Sequence, residues 1–255
     1  MSTPFNVVIP ARYASSRLPG KPLLDIAGKS MLQHVYERAL DSGASQVVIA
    51  TDDERILLKC QEFSAPAYMT SIDHQSGTDR LAEVIDLLGW PDDMIIVNLQ
   101  GDEPLMRPEL VRQVAEDLAA FPQASIATLC STIQSATELF DPNVVKVIMD
   151  KLGYSLYFSR APIPWDRDTF AIDKTNLPPQ TEYFRHIGLY AYTASFIKQY
   201  RQMTPCYLER SESLEQLRAL WHGHRIHLSH TETPPGHGVD TPEDLVKVQS
   251  LLSVE

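Results

Sequence analysis

Short β-branched apolar runs alternate with amphipathic stretches through the first half of this chain. Runs at residues 7–9, 47–50, 94–99 and 126–129 read as strands. Between them, residues 30–40 place Met31, His34, Val35, Arg38 and Ala39 at three-to-four spacing behind a Ser30 cap, the mark of an amphipathic helix. Residues 78–88 and 108–119 repeat that pattern. Strands alternating with helices predict an α/β fold with a doubly wound, mostly parallel sheet covered on both faces.

The second half changes character. Runs at 144–149, 155–158 and 187–192 look like strands, separated by Pro-rich stretches at 161–165 and 177–179. This predicts a smaller mixed α/β lobe inserted after the first half. A helix at 212–220, a strand at 225–229 and a closing helix at 242–252, with Thr241 near its N-cap, complete the pattern. No internal repeat, heptad array or low-complexity tract interrupts it. We therefore expect one domain over residues 1–255. The change of character falls near residue 130, dividing the chain into 1–130 and roughly 131–230.

With 255 residues, 44% of them hydrophobic, the chain can bury a full core. No apolar run approaches the roughly 20 residues that span a bilayer, and residues 1–5 show neither a basic n-region nor an apolar h-region. A cytoplasmic protein without a membrane partner is expected. The formal net charge of -11 argues against a nucleic-acid surface, which would carry a basic stripe. Cys60, Cys130 and Cys206 are odd in number and widely spaced, so they read as small apolar residues rather than as disulfides or thiolate metal ligands.

Against this acidic background, residues 10–22 (PARYASSRLPGKP) place Arg12, Arg17 and Lys21 in one loop just after the first strand. The carboxyl ends of parallel strands open onto the ligand crevice. Arg forks grip phosphate oxygens in pairs and Lys supplies a mobile charge, so the loop suits a polyphosphate; a solvated basic loop is the plainer alternative. Asp102 follows the strand at 94–99 in Gln100-Gly101-Asp102-Glu103-Pro104, and Asp240 sits before the closing helix. Each could serve a turn or a cap. Together they could hold Mg²⁺, which takes one or two carboxylates with substrate phosphate and water. Glu103 adjoins Asp102 and could assist through a water, although a local role is the simpler expectation. The histidines at 222, 224, 227 and 230 invite a zinc reading, which alternate strand positions and the lack of a Cys partner disfavour.

Residues 73–80 (DHQSGTDR) form a polar loop entering a helix, able to present amide, hydroxyl and backbone groups to a nucleobase or simply to cap the helix. In the second half, Arg, His, Tyr, Glu and Gln stand beside apolar anchors at 158–160, 165–167, 185–190 and 214–218. A hydroxylated sugar acid needs that mixture, although surface ion pairs would use the same residues.

Set side by side, these segments resemble the 3-deoxy-manno-octulosonate (Kdo) cytidylyltransferase, or CMP-Kdo synthetase, family. The motifs are PARYASSRLPGKP at 10–22, DHQSGTDRLAEV at 73–84, VNLQGDEP at 97–104, FSRAPIPWDRD at 158–168, RHIGLYAY at 185–192, LEQLR at 214–218 and GVDTPEDL at 238–245. The resemblance spans nearly the whole chain. It implies transfer of CMP from CTP to Kdo with release of pyrophosphate, dependence on Mg²⁺, a homodimer and a place in lipopolysaccharide assembly, with residues 1–130 mainly nucleotide-binding and roughly 131–230 carrying acceptor binding and dimerisation. By motif it places Ala11, Arg12, Arg17, Lys21, Ser76, Arg80 and Gln100 on CTP. Asp102 and Asp240 would hold the metal and, with Arg12, Arg17 and Lys21, carry catalysis. Gln100, Arg160, Arg167, His186, Tyr190, Glu215 and Gln216 would form the Kdo pocket. His237 and residues 171–181 depart from the pattern and bear on the preference among sugar acids. An enzyme acting on 8-amino-Kdo or sialic acid, and a non-catalytic nucleotide or sugar-acid sensor, are the competing readings.

Overall fold

A computed structural model describes residues 3–14, 18–74, 77–233 and 235–253. Chain order runs β1 (Phe5–Ala11), the small hairpin β2 (Asp25–Ile26) and β3 (Lys29–Ser30), α1 (Met31–Asp41), β4 (Gln46–Thr51), α2 (Glu54–Glu62), β5 (Ala67–Met69) and α3 (Gly77–Leu88). There follow β6 (Ile95–Asn98), α4 (Pro108–Ala120), β7 (Ile126–Thr132), α5 (Ala136–Phe140), β8 (Lys146–Met149) and β9 (Ser155–Ser159). The chain closes with β10 (Phe184–Thr193), α6 (Ala194–Tyr200), α7 (Tyr207–Glu212), α8 (Gln216–Trp221), β11 (Ile226–His230) and α9 (Pro242–Leu252).

The main sheet has the order β11-β7-β10-β6-β1-β4-β5, with β8 and β9 joined to β10 off this path. β1 pairs in parallel with β4 and β6, β4 with β5, and β7 with β11. β10 is antiparallel to both β6 and β7. Thus the second half does not stand apart: its long strand is threaded into the middle of the first half's sheet. The sequence suggested a strand only at 187–192, because the polar start Phe184-Arg185-His186 conceals pairing with β7 and β8.

Of the helix expected at 212–220, only Glu212, the last residue of α7, and residues 216–220, within α8, are helical. Ser213 adopts a left-handed conformation (φ 53) and ends α7, and Glu215 opens α8. Continuous amphipathic spacing does not reveal such a break; the backbone of one non-glycine residue does. The elements α2, β5, α5 and α6, three to nine residues long, are short additions to those the sequence pattern predicts.

Two apolar layers sandwich the sheet. Val7, Ile9, Val97 and Leu189 face α1 and α4 on one side, and Val8, Val48, Ile96 and Tyr192 face α3 and α6 on the other. Cys60, Cys130 and Cys206 are buried. A separate small cluster of Ile133, Leu139, Phe170 and Tyr183 gives the segment between β7 and β10 its own core.

The chain visits β4 and β5 on one side of β1 and then returns to β6 on the other, which makes a switch point beside β1. Pairing of β1 with β6 ends at Val8↔Asn98, and Leu99 N still donates to Val8 O at 3.2 Å. Two residues on, Pro10 faces the same way and has no N–H to continue the ladder. The strands separate there, and the crevice opens.

Candidate functional site

Three segments meet at that opening. The loop after β1 carries Arg12, whose Nη2 donates to His74 O at 2.9 Å and so ties it to the segment before α3. Gly20, at φ 68, turns the chain back with its N–H on Tyr13 O at 3.1 Å, and a single 3₁₀ turn at Lys21–Leu23 follows. A side chain at position 20 would be strained by that φ and pressed to 3.2 Å of the Tyr13 ring. The turn aims Lys21 inward. The loop after β6 brings Gln100, Gly101 and Asp102 to the same place, and Gly101 lies so close to Pro10 O that a Cβ would stand 3.0 Å from it. The third segment precedes α9. Thr241 and Asp244 form a reciprocal capping box, and Asp240 N donates to Asp244 Oδ2 at 3.1 Å, which fixes Asp240 at the helix entrance.

Lys21 Nζ donates to Asp102 Oδ2 at 2.6 Å, to Asp240 Oδ1 at 3.1 Å and to Val239 O at 2.7 Å. Two carboxylates 138 positions apart thus converge on one cation. Glu103 adds a third acid: burial first, then the charges of Asp102 and Asp240, push it up to about 8 against the pull of Lys21 and Arg185. Among the described residues, no group of three or more His, Cys, Asp or Glu side chains is arranged to enclose a metal. The donors are instead a pair of hard oxygen ligands already gathered around a positive charge. That is the donor chemistry suited to Mg²⁺ completed by substrate and water.

Two cavities open here. One of about 340 Å³ lies over Pro10, Ala11, Arg12, Lys21, Gln100 and Asp102. The other, about 330 Å³, lies between β6, β10 and the α7–α8 turn, with Asn98, Gln100, Tyr190, Glu215 and Gln216 in its wall. Gln100 and Gly77 line both. In the second cavity Gln216 Nε2 is buried without a hydrogen-bond partner. A buried donor left unpaired costs about 1–3 kcal/mol, which a ligand oxygen would recover. Glu215 accepts from Thr78 Oγ1 at 3.2 Å, and burial raises its carboxyl above the ordinary range. Burial likewise raises the Tyr190 phenol, leaving it a neutral donor.

Not every residue expected at the site lines these cavities. Arg80 is fully buried, its Nη2 on Asp52 at 2.6 Å and its Nη1 on Thr70, so it braces the base of α3 rather than facing the opening. Arg160 donates from Nε to Glu212 O at 2.7 Å and from Nη1 to Pro142 O at 3.0 Å, which anchors the end of α7 beside the second cavity. Arg167 is exposed and paired with Asp168 at 2.8 Å. His186 lies behind Tyr190, their ring centres 5.3 Å apart, with Nε2 2.9 Å from Thr128 Oγ1. Arg17 and Ser76 fall outside the described residues.

The sequence reading passed over Asn98, Tyr192 and Tyr200 in the cavity wall. Asn98 had a visible signal as the polar residue of an apolar strand. Tyr200, whose hydroxyl donates to Glu215 O at 2.9 Å, reaches the site only through the packing of α6 on α8.

Comparison with known proteins accords with this geometry. The Cytidylyltransferase family profile matches residues 6–226. A 3-deoxy-manno-octulosonate cytidylyltransferase of Histophilus somni (strain 2336) is 58% identical over 253 residues, covering 98% of each chain. One from Halorhodospira halophila is 56% identical over 253 residues, covering 99% of this chain and 98% of its own. The structure of a CMP:2-keto-3-deoxy-manno-octonic acid synthetase complexed with CTP superposes with a TM-score of 0.89 at 44% identity, covering 98% of this chain and 99% of the other. The crevice beside β1, the paired acids and the matches over essentially the full length agree: this chain is a member of the cytidylyltransferase family, on the 3-deoxy-manno-octulosonate branch of its relatives.

Proposed function

We propose that this protein transfers CMP from CTP to the anomeric hydroxyl of Kdo, releasing pyrophosphate and supplying CMP-Kdo for lipopolysaccharide assembly. The observation that carries the reading is the convergence of Asp102 and Asp240 on Lys21, with Lys21 and Asp102 lining one cavity that meets a sugar-acid-sized cavity at Gln100. Asp102 and Asp240 would hold Mg²⁺, which when bound offsets phosphate charge and lowers the pKa of a nearby hydroxyl.

The chain's own groups do the rest by position. Arg12, held through His74 O, faces the triphosphate with its remaining donors. Gln216 Nε2 and the Tyr190 hydroxyl donate to oxygens of the sugar acid, and Glu215 takes a hydroxyl proton in a hydrogen bond. Gln100, in the wall of both cavities, stands where the acceptor hydroxyl must approach the α-phosphorus in line with the departing pyrophosphate. Holding two substrates in that register supplies much of the rate, so no side-chain base is required.

A homodimer is part of the reading. Leu156 on β9, Tyr207 on α7 and Trp221 on α8 leave large apolar surface exposed, which supports it, and light scattering tests it. No helix among the described residues is long and apolar enough to cross a membrane, in keeping with a cytoplasmic enzyme. The deciding assay mixes protein, CTP and Mg²⁺ with Kdo, 8-amino-Kdo or sialic acid in turn and measures pyrophosphate. Fastest release with Kdo is expected. Faster release with another acid would reassign the acceptor, and none with any acid would favour a sensor.

A further inference from the structure

Lys21 sits where the paired acids would receive a divalent cation. Its ammonium has three protons, and Asp102 Oδ2, Asp240 Oδ1 and Val239 O lie 2.6, 3.1 and 2.7 Å from Nζ. In this arrangement no proton remains for a phosphate. The side chain is only 13% exposed, so the ammonium is held at the acids rather than passing near them.

Whether Lys21 supports the acid pair or competes for it depends on what else joins the two loops. Val239 N donates to Asp102 O at 2.9 Å. Gly236 rests on the Leu105 carbonyl so closely that a Cβ there would lie 2.0 Å from the oxygen. Asp240 N is held by Asp244 in the capping box. The first two contacts bring the segments around Asp102 and Asp240 together without help from the lysine, and the third fixes Asp240 within its own segment.

We propose that Lys21 is a competing occupant of the Asp102–Asp240 site, and that it exchanges these carboxylates for the triphosphate when metal and nucleotide enter. The inference rests on the reading of those two acids as the metal site. Its consequence is coupling in both directions. Metal that displaces Lys21 frees a phosphate ligand, and phosphate that captures Lys21 frees the acids for metal. Without nucleotide, metal affinity is reduced by the fraction of molecules in which Lys21 still occupies the site.

The test measures Mn²⁺ binding to nucleotide-free protein by the electron paramagnetic resonance of the unbound ion, and repeats it with CTP. Lys21→Met should bind Mn²⁺ about tenfold tighter than the unaltered protein, as expected if about a tenth of molecules are open at rest. It should also show a smaller gain on adding CTP. Arg12→Met removes the same charge from the crevice without touching the acids, and its affinity should stay within about threefold, in line with the screening of partly exposed charges. Gly236→Ala, which forces the loops apart, should bind Mn²⁺ more weakly.

Unchanged or weaker binding by Lys21→Met overturns the proposal, as does equal tightening by Arg12→Met, which would reduce the effect to general charge. If Lys21→Met melts below the unaltered protein, Lys21→Gln with a native melting curve takes its place. Failure of all these proteins to bind Mn²⁺, even with CTP, would instead remove the metal-site reading itself. The two failures are therefore separable.

Discussion

Replacing Asp102 with asparagine keeps the shape of the side chain and removes one negative charge. Lys21 loses its 2.6 Å ion pair but keeps Val239 O at 2.7 Å and Asp240 at 3.1 Å. The link between the loops survives, because Val239 N donates to the backbone oxygen of residue 102. With Asp102 33% exposed and Lys21 13% exposed, the lost pair is partly screened and worth about 1 kcal/mol or less. For a chain of this size that lowers Tm by about 2–4 °C. The catalytic loss should be far larger. Removing a group that stabilises transition-state charge typically costs about 10²–10³-fold in kcat, or about 3–4 kcal/mol at 1.36 kcal/mol per tenfold. Pyrophosphate release with CTP, Mg²⁺ and Kdo, paired with a melting curve, separates the two effects. Turnover within threefold of the unaltered protein would refute the metal role. A fall in Tm beyond about 10 °C, several times the range expected from one screened ion pair, would make the residue structural.

Arg12→Ala should lower kcat/KM for CTP by about 10²-fold while leaving the melting curve nearly unchanged, since its tie to the described residues is a part-buried bond to His74 O; a change under threefold would make it surface charge. Gln216→Leu removes an unpartnered buried donor, so the free protein should be as stable or slightly more stable, while KM for Kdo rises about tenfold or more and KM for CTP stays put. An equal rise in both constants would take Gln216 out of the acceptor cavity. Burial pushes His186 down to about 3 from 6.5, so its neutral form is favoured by folding: the stability it contributes is complete above pH 6.5 and is lost as pH falls toward 3. His186→Gln should therefore lose about 1–2 kcal/mol less than the unaltered protein between pH 7 and pH 5, read from urea midpoints, and parallel pH curves would disprove the buried neutral imidazole.

The sequence by itself determined the frame. The strands at 7–9, 47–50, 94–99 and 126–129 all lie within or across observed strands, and Ser30 and Thr241 cap the helices expected of them, because apolar period and cap chemistry act over a few residues. It also supplied the chemical alphabet of the site, since Arg12, Lys21, Asp102 and Asp240 stand in loops at strand or helix ends. Tertiary structure decided what depends on contacts between distant positions. It threaded β10 antiparallel between β6 and β7, broke the 212–220 segment at Ser213, and closed Lys21 onto two carboxylates rather than leaving it to face phosphate. It also sank Arg80 beneath the crevice and turned Arg167 to solvent, whereas the family resemblance implied that both belong to the site. Local patterns record which backbone state a segment prefers, but burial and side-chain partners are set by the segments that pack against it, and no run of neighbouring residues encodes those.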